Sequence, residues 1–370
     1  MDIRLENVLK YEQPTKYIVK SENYSDDFAL PVLTAGKSFV LGYTDETEGV
    51  CKASENPVII FDDFTADCKY VDFDFKVKSS AMKILHKANA EDNLKYYFYA
   101  MQAIDYTPFS HKRVWISEYS KFKIENRSVA EQNNIVKDLD TVATAIDNAK
   151  QRLNALDELV KSRFIEMFGE IDNNPNNYPI VTIDDVCIKV TDGKHGGCQK
   201  QEDSGYYYIG AREIFDGEIH YNTAPQITYA DFAKDYKRCN IETGDLVIVN
   251  TGATIGKSAI AKSPLTDHTL LQKSVALYKV KKDVIDVLFL QYCYMTHPSL
   301  YLVEGAAAQP NLLISTIKKT KIYLPPIELQ NEFADFVKLT DKSKFVCLFI
   351  PSIFYEISLR FRHPPLHIRG

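Results

Sequence analysis

Apolar residues in the middle of the chain keep a strict rhythm. Ile135, Leu139, Val142, Ile146, Ala149, Leu153, Leu156 and Val160 step by 4, 3, 4, 3, 4, 3 and 4. That is the a/d seam of a coiled coil. Ser128-Val-Ala-Glu131 supplies a capping box at the start, and Gly169 with the polar run Asp172–Asn177 supplies the stop. The pattern predicts a spacer helix over residues 128–170, some 60 Å long at 1.5 Å per residue. A lone rod with an apolar seam is unstable, so it needs a partner helix. The competing reading is a core helix of one larger domain.

Flanking this helix, the pattern changes to short runs rich in Val, Ile, Tyr and Phe, broken by Gly, Asp and Asn turns. Before it come PVLTAGKSFVLGYTDE, PVIIFDDF and YVDFDFKVK; after it come YYYIGAREIFDGEI, GDLVIVNTGATIGKSAIA and SVALYKVKK. Each half also has a late helical stretch, at 91–104 and 284–296. Both bodies read as mixed α/β domains, over residues 1–127 and 171–326.

The two halves share their ends. At an offset of 198 residues, Ile116, Ser117, Lys121, Lys123, Ile124, Gln132 and Asn133 meet identical residues at Ile314, Ser315, Lys319, Lys321, Ile322, Gln330 and Asn331. Those are seven identities in the nineteen positions 115–133, where ordinary composition gives about one. The chain is therefore read as an internal repeat, its middles divergent, with a second spacer helix starting at 327–342. An antiparallel helix pair is expected to put the two domains at opposite ends. Beyond Ser343 the seam is lost, Pro351 is expected to break any helix, and residues 343–370 read as an atypical tail, as if truncated or frame-shifted.

Composition narrows the class. The 370 residues are 45% hydrophobic and 25% charged, with no apolar run long enough to span a membrane and no signal-peptide core at the start. A cytoplasmic protein is expected. Seven cysteines without close pairing fit buried reduced thiols, not a zinc site or disulfide framework. The net charge of −6 is unusual for a nucleic-acid binder, but acid is concentrated at 45–74 while basic knots occur at His111-Lys112-Arg113, Lys121-Phe-Lys123 and Lys318-Lys319-Thr-Lys321. Any grip on DNA must then be local, or shared with a partner.

The order domain, long helix, domain, second helix resembles the specificity (S) subunits of type I restriction–modification systems. LPPIELQNEF at 324–333 is similar to the family's helix-entry motif, VAEQNNIVKDLD at 129–140 is its first-copy counterpart, and GDLVIVNTGATIGKSAI at 244–260 resembles a segment of target-recognition domains. The resemblance implies two similar target-recognition domains separated by long coiled-coil-forming helices. Each domain would read half of a bipartite site in double-stranded DNA. The helices would dock methyltransferase (M) subunits, which restriction (R) subunits then join. It implies a non-catalytic chain without cofactor or metal of its own, S-adenosylmethionine, ATP and Mg being bound by the partner subunits. The seam residues Ile135, Leu139, Val142, Ile146, Leu153, Leu156 and Val160 become the docking candidates.

For DNA contact the candidates are Lys112, Arg113 and Lys123 in the first half, and Thr251, Lys257, Gln309, Asn311 and Lys318 in the second. Gln309-Pro-Asn311 offers side-chain amides suited to adenine, and Lys257 suits a phosphate. GATIGKS at 252–258 looks like a phosphate loop, but Thr251 stands where the Walker spacing needs glycine, and strand is expected after Lys257. His195, in the polar loop DGKHGG, is as ordinary as a solvated loop histidine. Three rivals stay open: a two-domain scaffold on a coiled coil, an NTPase using that loop, and a silent S-subunit copy.

Overall fold

The computed structural model describes residues 2–36, 38–110, 112–301 and 311–362, with side chains as far as Lys344. The chain divides into two compact units, residues 2–148 with 350–362, and residues 149–349. Among the described residues no helix is long and apolar enough to cross a membrane.

In the first unit, β1 (Asp2–Arg4), α1 (Leu5–Val8), β2 (Leu9–Glu12), β3 (Leu30–Leu33), β4 (Val40–Thr44), β5 (Val58–Asp62), β6 (Cys68–Val71), β7 (Lys76–Val77), β8 (Met82–Lys87), α2 (Leu94–Gln102) and β9 (Lys123–Glu125) lead into the long helix α3 (Val129–Phe168). An antiparallel sheet in the order β2-β8-β5-β6 forms the body, with β4-β3-β7 beside it and β1 paired to β9. Strand β5 is buried along its whole length, as its unbroken apolar run requires. The acidic stretch is absorbed locally. Glu46 accepts N–H bonds from Lys20 and Ser21 and pairs with the buried Lys76, and Asp74 pairs with Lys52.

The second unit repeats the plan. It contains β10 (Ile180–Thr182), α4 (Ile183–Val186), β11 (Cys187–Asp192), β12 (Tyr207–Ile209), β13 (Ile214–Phe215), β14 (Glu218–Ile219), α5 (Tyr229–Cys239), β15 (Leu246–Val249), β16 (Ser258–Ile260), β17 (Thr269–Leu271), β18 (Val275–Val280), α6 (Val287–Thr296), α7 (Ile314–Lys319) and β19 (Lys321–Tyr323). Its main sheet runs β11-β18-β15-β16, and β10 pairs with β19. The divergent middles thus share one sheet order with the first unit.

The repeated junction has a structural cause. Gln132 and Gln330 are both buried. Each accepts the backbone N–H of the residue capping a body helix, Asn93 before α2 at 2.8 Å and Asp286 before α6 at 2.9 Å. Each also donates to a carbonyl at the helix entry, Arg127 or Pro325. One glutamine thus ties long helix, entry turn and body together in each unit.

Helix α3 starts on the expected capping box, Glu131 accepting the Ser128 N–H at 2.9 Å. Ile135, Leu139, Val142, Ile146, Leu153 and Leu156 are half-buried, while Ala149 and Val160 are fully buried. The helix then leaves its heptad rhythm and sends Phe164 and Phe168 into the core of the second unit, against Phe289 and Phe333. Burying each of these rings contributes about 1.5–3 kcal/mol.

The second long helix, α8 (Ile327–Arg362), runs through the expected break at Pro351 and so corrects the tail reading as far as residue 362; residues 363–370 lie outside the described residues. Pro351 removes one backbone donor, a local loss that a helix already running from Ile327 tolerates. Within the second unit α8 lies antiparallel to α3, with Arg163–Glu332 at 3.5 Å and Lys344–Asp157 at 2.7 Å.

Candidate nucleic-acid interface

The equivalence of the two sheets defines equivalent surfaces. Phe61 faces Lys83 and Asp62 faces Met82 in the first unit; Ile248 faces Ala276 and Val249 faces Val275 in the second. One residue further on, the Asp63 N–H bonds to the Ala81 carbonyl and the Asn250 N–H to the Ser274 carbonyl. The carbonyls of Asp63 and Asn250 in turn accept the N–H groups of Val114 and Leu312, at 2.9 and 2.8 Å. Val114 and Leu312 are both buried, and they stand 198 residues apart, the offset of the sequence repeat. In each unit, then, a loop returning toward a long helix is pinned to the tip of the β5–β6 or β15–β16 hairpin.

The two pins are built differently. In the first unit Asp63 accepts the Trp115 N–H at 2.9 Å and lies 3.2 Å from Lys83, both side chains buried. In the second the corresponding pair is Asn250 and Ala276, and the charge is gone. The hairpin loops also differ, residues 63–67 against 250–257. The longer loop turns on Gly252 and Gly256, with φ of +93° and +88°. A Cβ at Gly256 would lie 2.4 Å from the Tyr301 ring, so glycine is required there on both counts. Strand β16 begins at Ser258, so Lys257 sits at the end of a hairpin loop. A phosphate-binding loop feeds a helix instead, and the nucleotide reading loses its structural basis.

Beside the second pin lies a cleft of about 290 Å³ whose walls include Lys194, Gly196, Tyr208, Thr251, Gln272, Lys273 and Asn311. Thr251 and Asn311, selected from sequence, meet directly: the Thr251 hydroxyl donates to Asn311 Oδ1 at 2.9 Å, and their backbones form a β-bridge. Lys257 and Lys273 are exposed, and neither has an ion pair among the described residues. Lys194 is paired with Asp235, which raises its pKa. Gln309 lies outside the described residues, as does His111. Lys318 is not a free cation: it pairs with Asp184 at 3.0 Å, away from the residues that line the cleft.

In the first unit Arg113 occupies the counterpart of the Asn311 position, immediately before the pinned residue. Its guanidinium donates to the Ser80 carbonyl at 3.2 Å and lies 6.0 Å over the Phe64 ring at the hairpin tip. Lys112 is exposed next to it. Lys123 stands elsewhere, in strand β9 opposite Arg4. Sequence reading missed Phe109, which is fully exposed on the same loop as Arg113. An exposed aromatic ring can pack on a sugar or a base.

Other candidate chemistry has local explanations. Burial opposes charge on Asp192, but Arg238 and His195 outweigh it and hold the carboxyl below its ordinary pKa. Burial pushes the thiols of Cys51 and Cys239 up to about 11 and those of Cys68 and Cys187 to about 12, which makes them inert. Tyr206 packs on Tyr229 and Phe232. No cluster of three metal-ligating side chains occurs among the described residues.

Comparison with known proteins agrees with this geometry. Residues 175–345 match the family model of the type I restriction modification DNA specificity domain. A stretch of 162 residues is 48% identical to the specificity subunit of the type I restriction enzyme EcoR124I/EcoR124II of Escherichia coli, covering 40% of each chain. A second stretch, of 233 residues, is 24% identical to the EcoBI specificity subunit of the same organism and covers 48% of it. The chain thus spans less than half the length of the curated relatives it matches. The solved S subunit of a type I restriction–modification system from M. genitalium superposes with a TM-score of 0.57, over 96% of this chain and 93% of that one, at 15% identity. A chain from a structure concerned with complex assembly and conformational transition of the type I R-M system gives 0.51, over 96% and 95%, also at 15% identity. At that identity the likeness is one of fold.

Proposed function

We propose that this chain, a member of the type I restriction–modification specificity family through its domain at residues 175–345, is the DNA-sequence-reading subunit of such a system. Each unit reads one half of a bipartite double-stranded site. The long helices dock methyltransferase subunits, and restriction subunits join that assembly. The chain itself transfers and cuts nothing. S-adenosylmethionine, ATP and Mg belong to the partner subunits.

One observation supports this reading above the others: the same pinned loop occurs in both units, with different side chains beside each pin. A repeated mount with unlike contact residues suits two different half-sites. Each short contact is weak alone, but a helical link of 40 residues joins them, and the second contact forms at high effective concentration. The overall charge of −6 is no obstacle, because a grip on phosphates needs only local cations, and Lys112, Lys257 and Lys273 are exposed. The sugar- or protein-binding scaffold remains the rival, and salt separates the two. DNA binding weakens steeply as salt rises, whereas scaffold contacts of that kind do not.

The test is co-expression with a methyltransferase subunit of the same system, followed by mapping of methylated adenines. A stable complex that methylates a split motif is the expected result. Failure to bind either the methyltransferase or duplex DNA at low salt overturns the proposal.

A further inference from the structure

We infer that Arg113 of the first unit and Asn311 of the second are equivalent base-reading residues, Arg113 selecting guanine and Asn311 selecting adenine. The inference rests on the function proposed above and narrows it to one position in each half-site.

The equivalence comes from hydrogen bonding and needs no similarity of sequence. Asp63 and Asn250 occupy one place at the end of β5 and β15, and their carbonyls hold Val114 and Leu312. Arg113 and Asn311 are the residues just before those two, and both are exposed. A residue fixed at its backbone by a buried neighbour, with its side chain in solvent, is a rigid mount for a reading group. The molecule has built this mount twice.

Side-chain chemistry then assigns the bases. A guanidinium presents parallel donors that match the O6 and N7 acceptors of guanine, and a carboxamide presents one donor and one acceptor that match adenine N7 and N6. Both groups are held in place. Arg113 spends one donor on Ser80 and lies over Phe64, which restricts the plane of its fork. Thr251 donates to Asn311 Oδ1; that oxygen has a second lone pair, so the contact fixes the amide without consuming its acceptor. The surroundings agree, since exposed Lys273 lies in the same cleft as Asn311 and Lys112 adjoins Arg113, each suited to a flanking phosphate.

The test uses the full chain assembled with its methyltransferase, and reads the methylated motif together with duplex affinity. Arg113→Lys keeps the charge but loses the fork. Asn311→Asp keeps the acceptor for Thr251 but places a carboxylate against adenine N7. The expected result for Arg113→Lys is a loss of guanine preference of roughly tenfold to a hundredfold at one position of one half-site, with the other half-site unchanged. Asn311→Asp is expected to lose adenine preference at one position of the other half-site. The inference is overturned if both variants keep the wild-type motif, or if affinity falls equally on all sequences, as for a phosphate contact. A wild-type complex that methylates no split motif overturns the underlying function instead. Unchanged thermal melting of both variants shows that the mount is intact.

Discussion

The two hairpin pins do the same task with opposite chemistry. In the first unit Asp63 and Lys83 are both buried, 3.2 Å apart, under a five-residue loop spanning 63–67. In the second, Asn250 and Ala276 fill the same places under the loop at 250–257. A neutral amide can hold the returning loop by the same backbone bonds, so the charge is not needed for the fold. What the pair requires is that both members be kept or both replaced. A buried ion pair is dear to break and cheap to exchange whole.

The largest expected effect follows directly. Lys83→Met leaves Asp63 charged and uncompensated, and should destabilise the first unit by about 3–5 kcal/mol. Asp63→Asn combined with Lys83→Met imitates the neutral second pin and keeps an acceptor for the Trp115 N–H. It should recover most of that loss in denaturant melts. If the double variant is as unstable as the single one, the two pins are not interchangeable and the comparison fails.

The buried glutamines are the feature the units share, and they sharpen the comparison from the other side. Gln330→Ala orphans the Asp286 N–H and the Pro325 carbonyl, at a cost of about 2–4 kcal/mol if each buried group loses about 1–2. Gln132→Ala orphans the Asn93 N–H and the Arg127 carbonyl, and should cost a similar amount. A large inequality between the two would show that one junction is carried by other contacts.

These glutamines also mark how far the sequence could be read. Their identity across the repeat was visible, because the junction is contiguous in both copies. Their role was not, because Asn93 and Asp286 are distant in sequence and join only through the fold. The a/d seam of α3 was legible since its period is local; Phe164 and Phe168 escaped it because they follow the seam at steps of four. Pro351 misled in the opposite direction, since a local breaking rule gives no weight to a helix already formed before it. The shared sheet order was hidden by hairpin loops of different length, which shift every alignment made by counting. Of the contact candidates, Thr251 and Asn311 were chosen singly and meet in the structure, whereas Lys318 is occupied by Asp184. Arg113 and Asn311 keep the 198-residue offset but lie just outside the window of identities, so it is the hydrogen-bond register that establishes their correspondence.

The smallest expected effect separates the units by pH. Helix α6 ends at the buried His297, whose Nε2 accepts the Ile171 N–H at 2.9 Å. Counted from the capping residues Asn93 and Asp286, the corresponding place in the first unit is Ile104, which cannot titrate. Burial lowers the pKa of His297, and the accepted hydrogen bond likewise requires the neutral ring. The native state therefore resists a proton that the unfolded state takes up below about pH 6.5. The histidine's contribution is complete above that value and is lost as pH falls toward the lowered native pKa, with a slope of at most about 1.4 kcal/mol per pH unit. Denaturant melts of the second unit's transition at pH 7.5, 6.5 and 5.5 should show this decline. His297→Gln keeps an acceptor for Ile171 and should reduce it to the slope of the remaining titratable groups. An unchanged slope in that variant would mean that His297 takes up its proton equally in the folded and unfolded chain, and the two helix ends would then differ in packing alone.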